Sequence, residues 1–199
     1  LISSSDHITI YNDIVLFDQI LVGDEVVVKF PIYIHGTAFD MEDLGLILKI
    51  VDASGHSWIN SVPVDVVGPY ITVSDYEGDF FPGSNSSMVL NIWNQGSKAL
   101  NDYNINLFSS NSLINIYSSS ADLDGLAVNE NVYLDGFDIS FNSNIINGSI
   151  IPIEMELTAY DGFSRSQIIN ITVGEVRETD PLGPDAHGYY IYDSGDTEY

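Results

Sequence analysis

The sequence predicts an all-β protein built from antiparallel β-sandwiches in tandem, the first of which lacks its N-terminal strands. Three observations carry that reading. Apolar residues alternate with polar ones at period 2 through most of the chain, and no helical periodicity competes with them. Turn signals punctuate the alternating runs: Pro82-Gly83-Ser84-Asn85, Asn94-Gln95-Gly96-Ser97, Asp135-Gly136, Asn147-Gly148 and Asp161-Gly162. The chain also repeats itself. Residues 1–68 align with residues 107–174, at an offset of 106 where Ile8 meets Ile114 and of 107 where Leu46 meets Ile153. One residue is therefore inserted in the second copy. A repeat of about one hundred residues is the size of a whole sandwich and too long for a solenoid unit.

In chain order, the first region (1–68) is expected to hold strands near residues 7–11, 26–34, 44–51 and 61–67, with a turn at Ala53-Ser54-Gly55-His56. Gly68-Pro69 marks the junction. The second region (69–175) carries the clearest strand. Ile151, Ile153, Met155 and Leu157 face one way, and Pro152, Glu154, Glu156 and Thr158 face the other, as in a strand with one wet face. Met88, Leu90 and Ile92, then Tyr103, Ile105 and Leu107, then Phe137, Ile139 and Phe141 form similar sets. The expected core is Leu90, Ile92, Ile105, Leu107, Ile116, Phe137, Ile139, Ile153, Met155, Ile169 and Ile171. The second copy also owns residues 70–106, for which the first copy has no counterpart. Leu1 thus falls inside a domain pattern, and the chain is expected to be a piece of something longer. Residues 176–199 change character and read as a linker or the start of a further module.

Composition narrows the functions. Asp and Glu number 29 against 5 Lys and Arg, a net charge of −24, and this field repels nucleic acid and anionic membranes. It attracts cations, and calcium is the cofactor expected if there is one. Cysteine is absent, which excludes disulfides, zinc-thiolate sites and cysteine nucleophiles. No apolar run approaches the ~20 residues of a membrane span, so membrane insertion is not expected. At 45% hydrophobic residues the chain forms a core.

Asp75, Glu77 and Asp79 alternate ahead of a tight turn, and their oxygens form the metal site expected here. The tail acids Asp193, Asp196 and Glu198 form a second such group. His7, His35, His56 and His187 are scattered, with no close metal-binding spacing. Asp193-Ser194-Gly195 lacks the glycines of a nucleophile elbow, so no catalytic residue is expected and the chain is read as a non-enzyme. Trp58, Trp93 and the cluster Tyr189, Tyr190 and Tyr192 offer aromatic faces to a sugar ring. Asn85, Asn147 and Asn170 lie in Asn-x-Ser/Thr sequons.

The acidic run 75–79, Pro82-Gly83, the strand Ser87-Met88-Val89-Leu90-Asn91-Ile92-Trp93 and then Asn94-Gln95-Gly96 together resemble a recurrent phrase of extracellular immunoglobulin-like modules. Such modules are similar to the adhesion-type sandwiches behind the catalytic domains of large bacterial secreted proteins, with gingipain-like cysteine peptidases and subtilisin-like peptidases as typical hosts. Residues 179–190 resemble the join to a next module. The resemblance spans essentially the whole chain, but its motifs encode turns. One departure is Ser84, where an acidic residue often follows Pro-Gly. It implies tandem immunoglobulin-like sandwiches of a secreted or cell-surface protein and carries over no catalytic residue.

The function expected is a non-catalytic extracellular structural, assembly or adhesion module. The rival is a carbohydrate-binding accessory domain of a secreted hydrolase, with a glycan as partner. The naked half-sandwich is expected to be completed by strands from upstream polypeptide of the same parent or from neighbouring copies, the latter building a fibre.

Overall fold

A computed structural model of the chain describes residues 1–185 and 187–196. Among them the chain is all-β. Its strands are β1 (Ile8–Ile10), β2 (Ile32–Ile34), β3 (Ile47–Val51), β4 (Ser57–Ser61), β5 (Ile71–Glu77), β6 (Asn85–Asn94), β7 (Leu100–Phe108), β8 (Ile114–Ser118), β9 (Ser120–Leu126), β10 (Asn131–Phe141), β11 (Ser149–Ala159) and β12 (Ser164–Val173). Every pairing is antiparallel.

The second region is a β-sandwich. One four-stranded sheet has the order β5-β6-β10-β8 and the other the order β12-β11-β7-β9. Their inner faces share one core that includes Met88, Leu90 and Ile92 from β6, Ile105 and Leu107 from β7, Phe137 and Ile139 from β10, and Ile153 and Met155 from β11. The alternation of β11 is obeyed residue by residue, with Glu154 and Glu156 exposed between fully buried neighbours. Every expected core residue is buried except Ile116. Ile116 lies on β8, at the edge of its sheet, and is half-buried against the core.

The repeat is written into the hydrogen-bond register. β1 pairs with β2 as Ile8↔Ile34, Thr9↔Tyr33 and Ile10↔Ile32. Shifted by 106 and 107 residues, these are the pairs Ile114↔Phe141, Asn115↔Ser140 and Ile116↔Ile139 of β8 and β10. All five rungs of β3 and β4, from Ile47↔Ser61 to Val51↔Ser57, recur as Glu154↔Ile168 to Thr158↔Ser164 in β11 and β12. The loops follow suit. His35 N–H donates to the His7 carbonyl at 2.8 Å, as Asn142 N–H does to that of Leu113. Met41 N–H donates to the Val66 carbonyl, as Gly148 N–H does to that of Val173. The residue inserted in the second copy has a structural place. The β10–β6 register slips by one between Leu134 and Phe137, a β-bulge with Gly136 at a φ of 94°.

The first unit is correspondingly thin. It has two separate two-stranded sheets, and its buried cluster is Ile8, Ala38, Leu44, Leu46 and Val66. The strand expected over 26–34 is reduced to Ile32–Ile34. Its counterpart β10 is held on one edge by β6, and nothing in the first unit takes the place of β6. The strand expected over 61–67 lies instead at Ser57–Ser61. Gly45, in the left-handed region at φ 57°, interrupts the facing chain, and Pro63 has no N–H to donate. The ladder resumes only as Val62 N–H to the Leu46 carbonyl and an isolated Asp43↔Asp65 bridge.

The tail folds back on the second sandwich. Asp180 is buried, accepts the Arg177 N–H at 2.6 Å and holds the Asn147 side-chain amide at 3.1 Å. Tyr190 and Ser149 join hydroxyls at 2.9 Å, and Leu182 bridges to Ile191.

Equivalent residues in the two units should respond unequally to truncation. Met155→Ala should lower the stability of the second unit by about 2–5 kcal/mol, as a large-to-small change in a closed core. Leu48→Ala at the same place in the first unit, where the side chain is only half-buried, should cost about 1 kcal/mol. Denaturant titrations followed by amide exchange of each unit measure both, and equal losses would contradict an open first unit.

Candidate functional site

The chain concentrates unusual surface in two places, the open side of the first unit and the junction between the units. Between β3 and the irregular residues 13–17 runs a groove of about 420 Å³, with Leu1, Phe17, Phe30, Leu48 and Ile50 along its walls. These positions correspond to second-unit residues that are buried or packed against the core. In the first unit apolar side chains lie open, with Leu16 90% exposed and Val27 88% exposed. An apolar-walled groove on an open side is a candidate binding or assembly face.

The second place is the junction between the units. The first unit's loop at residues 36–40 rests against the β11–β12 hairpin. A Cβ at Gly36 would come within 1.8 Å of the Gly162 carbonyl oxygen, so the backbones touch where a side chain cannot fit. Ser164 N–H donates to the Gly36 carbonyl at 3.3 Å. Arg165, on β12, reaches across: its guanidinium donates to the carbonyls of Thr37 at 3.2 Å and Ala38 at 3.4 Å and lies 4.0 Å from the centroid of the Phe39 ring. A planar guanidinium over an aromatic face combines cation–π attraction with hydrogen bonding at its edge. Burial pulls its pKa down from the usual value, and Tyr70 and Glu42 pull it up.

Asp40 closes the same joint. Its carboxylate accepts the Gly68 N–H at 2.8 Å, the Ser97 N–H at 3.1 Å and the Ser97 hydroxyl. Desolvation raises its pKa, but these hydrogen bonds outweigh it, and the carboxyl sits below its ordinary 3.8. Glu42 behaves alike. Burial is outweighed by the Phe39 N–H and by His7, whose Nδ1 lies 2.8 Å from the carboxylate. Sequence reasoning did not single out Arg165 or Asp40. A usable signal existed in the scarcity of positive charge, because Arg165 is one of only five basic residues.

The residues singled out from sequence are dispersed. Asp75 and Glu77 lie exposed at the end of β5, and Asp79 follows Gly78 in the exposed loop ahead of the Pro82-Gly83 turn. The Asp75 carboxylate accepts the Tyr76 N–H at 2.8 Å. Among the described residues no group of three or more His, Asp or Glu side chains is arranged to hold a metal ion, this loop included. In the tail, the Asp193 carboxylate accepts the Gly195 N–H and Asp196 accepts the Asp193 N–H, which builds a local turn. Glu198 lies outside the described residues. His35 meets the Thr9 hydroxyl at 2.8 Å, His56 meets Asp52 at 3.0 Å, and the His187 N–H donates to Asp185. Trp58 is half-exposed on β4 and Trp93 lies near the surface of β6. Tyr189 and Tyr192 are exposed, while Tyr190 packs on Ser149. Of the sequons, Asn85 and Asn170 are exposed, whereas the Asn147 amide is engaged by Asp180.

No protein-family model matches the chain, and no curated protein is significantly similar to it.

Two measurements bear on these sites. A carboxyl whose folded pKa lies below its ordinary value contributes stability that is fully present above the ordinary value and is lost as pH falls through the lowered one. The Gly68 and Ser97 amides should therefore lose exchange protection below about pH 3.8, and Asp40→Asn should flatten that dependence. A wild-type profile identical to that of the variant would remove Asp40 from the joint. Separately, the net charge of −24 should make bound cations stabilising. Thermal melts with calcium and with chelator should therefore differ beyond the effect of matched ionic strength, and identical melts would leave only general screening. Extra stabilisation by calcium that disappears in Asp75→Asn would make the acidic loop a binding site.

Proposed function

We propose that the chain is a non-catalytic extracellular module of a larger secreted or cell-surface protein, made of tandem immunoglobulin-like units and serving assembly or adhesion. The observation that carries this reading is the duplicated register: the rungs of β1–β2 and β3–β4 recur in β8–β10 and β11–β12, and the two units are braced to each other by Arg165 and Asp40. Tandem units with a fixed joint serve reach and presentation. A chain that commits one of its few basic side chains to the joint is organised around holding the copies together.

The immunoglobulin-like assignment draws support from the sheet orders. In the complete unit the first, second, sixth and fourth strands lie side by side, like strands A, B, E and D of that architecture. The chain departs from the usual path by visiting β8 on one sheet before β9 on the other. The open side of the first unit supports assembly by strand addition, in which main-chain hydrogen bonds supply affinity and alternate side chains supply specificity.

A second reading is a carbohydrate-binding accessory domain, favoured by Trp58, which is 54% exposed beside the exposed Ile59. A glycan array separates the two. The purified chain should bind no glycan, and Trp58→Ala should change nothing in that assay. Glycan binding that Trp58→Ala abolishes would transfer the assignment to carbohydrate recognition. Hydrolysis of peptide or glycoside substrates by the pure chain would overturn the non-catalytic reading.

A further inference from the structure

The open side of the first unit has the hydrogen-bond register of one missing strand, and both of its flanking ladders have already begun. In the second unit β7 lies between β11 and β9. Its last two residues are Leu107 and Phe108. Leu107 N–H donates to the Ser119 carbonyl at 2.7 Å, at the start of the β9 side. Phe108 pairs with Glu154 on the β11 side. Displaced by the repeat offsets, the same two contacts exist in the first unit. The Leu1 amine donates to the Asp13 carbonyl at 2.6 Å, and Ile2 exchanges hydrogen bonds with Ile47 at 3.0 and 2.8 Å. Leu1 and Ile2 are thus the final two residues of a β7 counterpart, seated on both sides.

The two walls are waiting in the same register. Because Ile47 directs its N–H and C=O towards Ile2, alternation directs those of Lys49 and Val51 out of the same edge of β3. The other wall is residues 14–20, the counterpart of β9. In the second unit β9 pairs only with β7, and without such a partner residues 14–20 are irregular. Between the walls lies the apolar groove described above.

We propose that this groove is the seat of a β-strand that runs into Leu1 from its amino side in the same polypeptide, antiparallel to β3 and to residues 14–20. This deepens the proposed assembly role and rests on it only for its biological purpose. The direction follows from Leu1 and Ile2, which already lie on the strand's line, so that continuing the backbone past Leu1 enters the groove. A strand from a second copy would have to share that line end to end with Leu1. The register also dictates the strand's character. Leu157 faces Ile105 in the complete unit, so Ile50 faces the residue two places before Leu1, which should be apolar, with a polar residue between them. Lys49, exposed on the open edge, disfavours indiscriminate pairing by flat apolar strands.

The test extends the 199-residue chain by the sequence of residues 100–106 placed directly before Leu1, which aligns the grafted Ile105 with Ile50. Amide exchange then reports on Lys49, Val51 and residues 14–20, while the amides of β11 report that the second unit is folded. Protection of Lys49 and Val51 should rise about tenfold or more, since these amides move from an open edge into a ladder. Binding of an apolar dye should fall. The same graft carrying Asn106→Pro should lose the added protection, because the N–H at that place is the one directed at Lys49 and proline has none. Unchanged exchange at Lys49 and Val51 in the graft would overturn the proposal. So would protection of those amides in the unextended chain that grows with protein concentration, since a second copy would then fill the groove. Glycan binding or hydrolysis would sink the assembly role and leave these amides untouched, so the two failures are distinguishable.

Discussion

Strand β11 has both edges hydrogen-bonded and one face buried, and the second sandwich depends on that condition. It pairs with β12 along its whole length and with β7 along its C-terminal half, while Ile151, Ile153, Met155 and Leu157 stand in the core. Its counterpart in the first unit, β3, is sequence-matched and register-matched, yet it pairs along one edge only, with a single bridge from Ile2 on the other. The difference in burial follows. Met155 is fully buried and Leu48 only half so, although the two residues occupy the same position in the same ladder. Side-chain pattern decides which face of a strand turns inward, but neighbouring strands decide whether an inside exists.

Charge sets the second constraint. With a net charge of −24, the two units repel each other and any contact between them must overcome that field. The joint does so without a simple ion pair. Arg165 spreads its charge over the Phe39 ring and two carbonyls, and Asp40 is neutralised locally by backbone N–H groups and a hydroxyl. Charge-assisted hydrogen bonds of this sort are less exposed to the surrounding acidic surface than a solvent-facing lysine would be. Gly36 lets the two backbones come close enough for those bonds to form.

What the sequence revealed, it revealed through periodicity. The alternation at 151–157 set the register of β11 correctly because a one-residue slip would have buried Glu154 and Glu156. The repeat offset, including its change by one, was legible as well, and the change is the bulge at Gly136. The errors fell where a partner or a backbone special decides. Residues 26–30 have the apolar content of a strand but no counterpart of β6 beside them. Residues 62–67 alternate well, but Pro63 and Gly45 break the ladder they should have made. The joint was not legible because Arg165 and Thr37 are 128 residues apart in sequence and neither stands in a motif. The acidic loop at Asp75, Glu77 and Asp79 shows the converse. Its residues sit at the exposed end of β5 and in the loop that follows, where spacing alone does not determine how the carboxylates are oriented.

An incomplete sandwich joined to a complete one has a consequence for dynamics. Local stability tracks buried apolar contacts and paired edges, so the first unit belongs at the low end of this chain's stability range and the second at the high end. The braced joint couples the two without completing the first, since Arg165 and Asp40 hold the loop at 36–40 and leave the far side of β3 untouched. The stable unit therefore anchors one end of the open one while the other end stays receptive. A strand that docks there gains two preformed ladder starts and an apolar floor, and the ordering of residues 14–20 is the conformational cost it must offset. Because that cost is met only by a strand of the right register, the looseness of the first unit is itself a source of selectivity: a mismatched strand would turn its apolar residues to water and leave Phe30 and Ile50 uncovered.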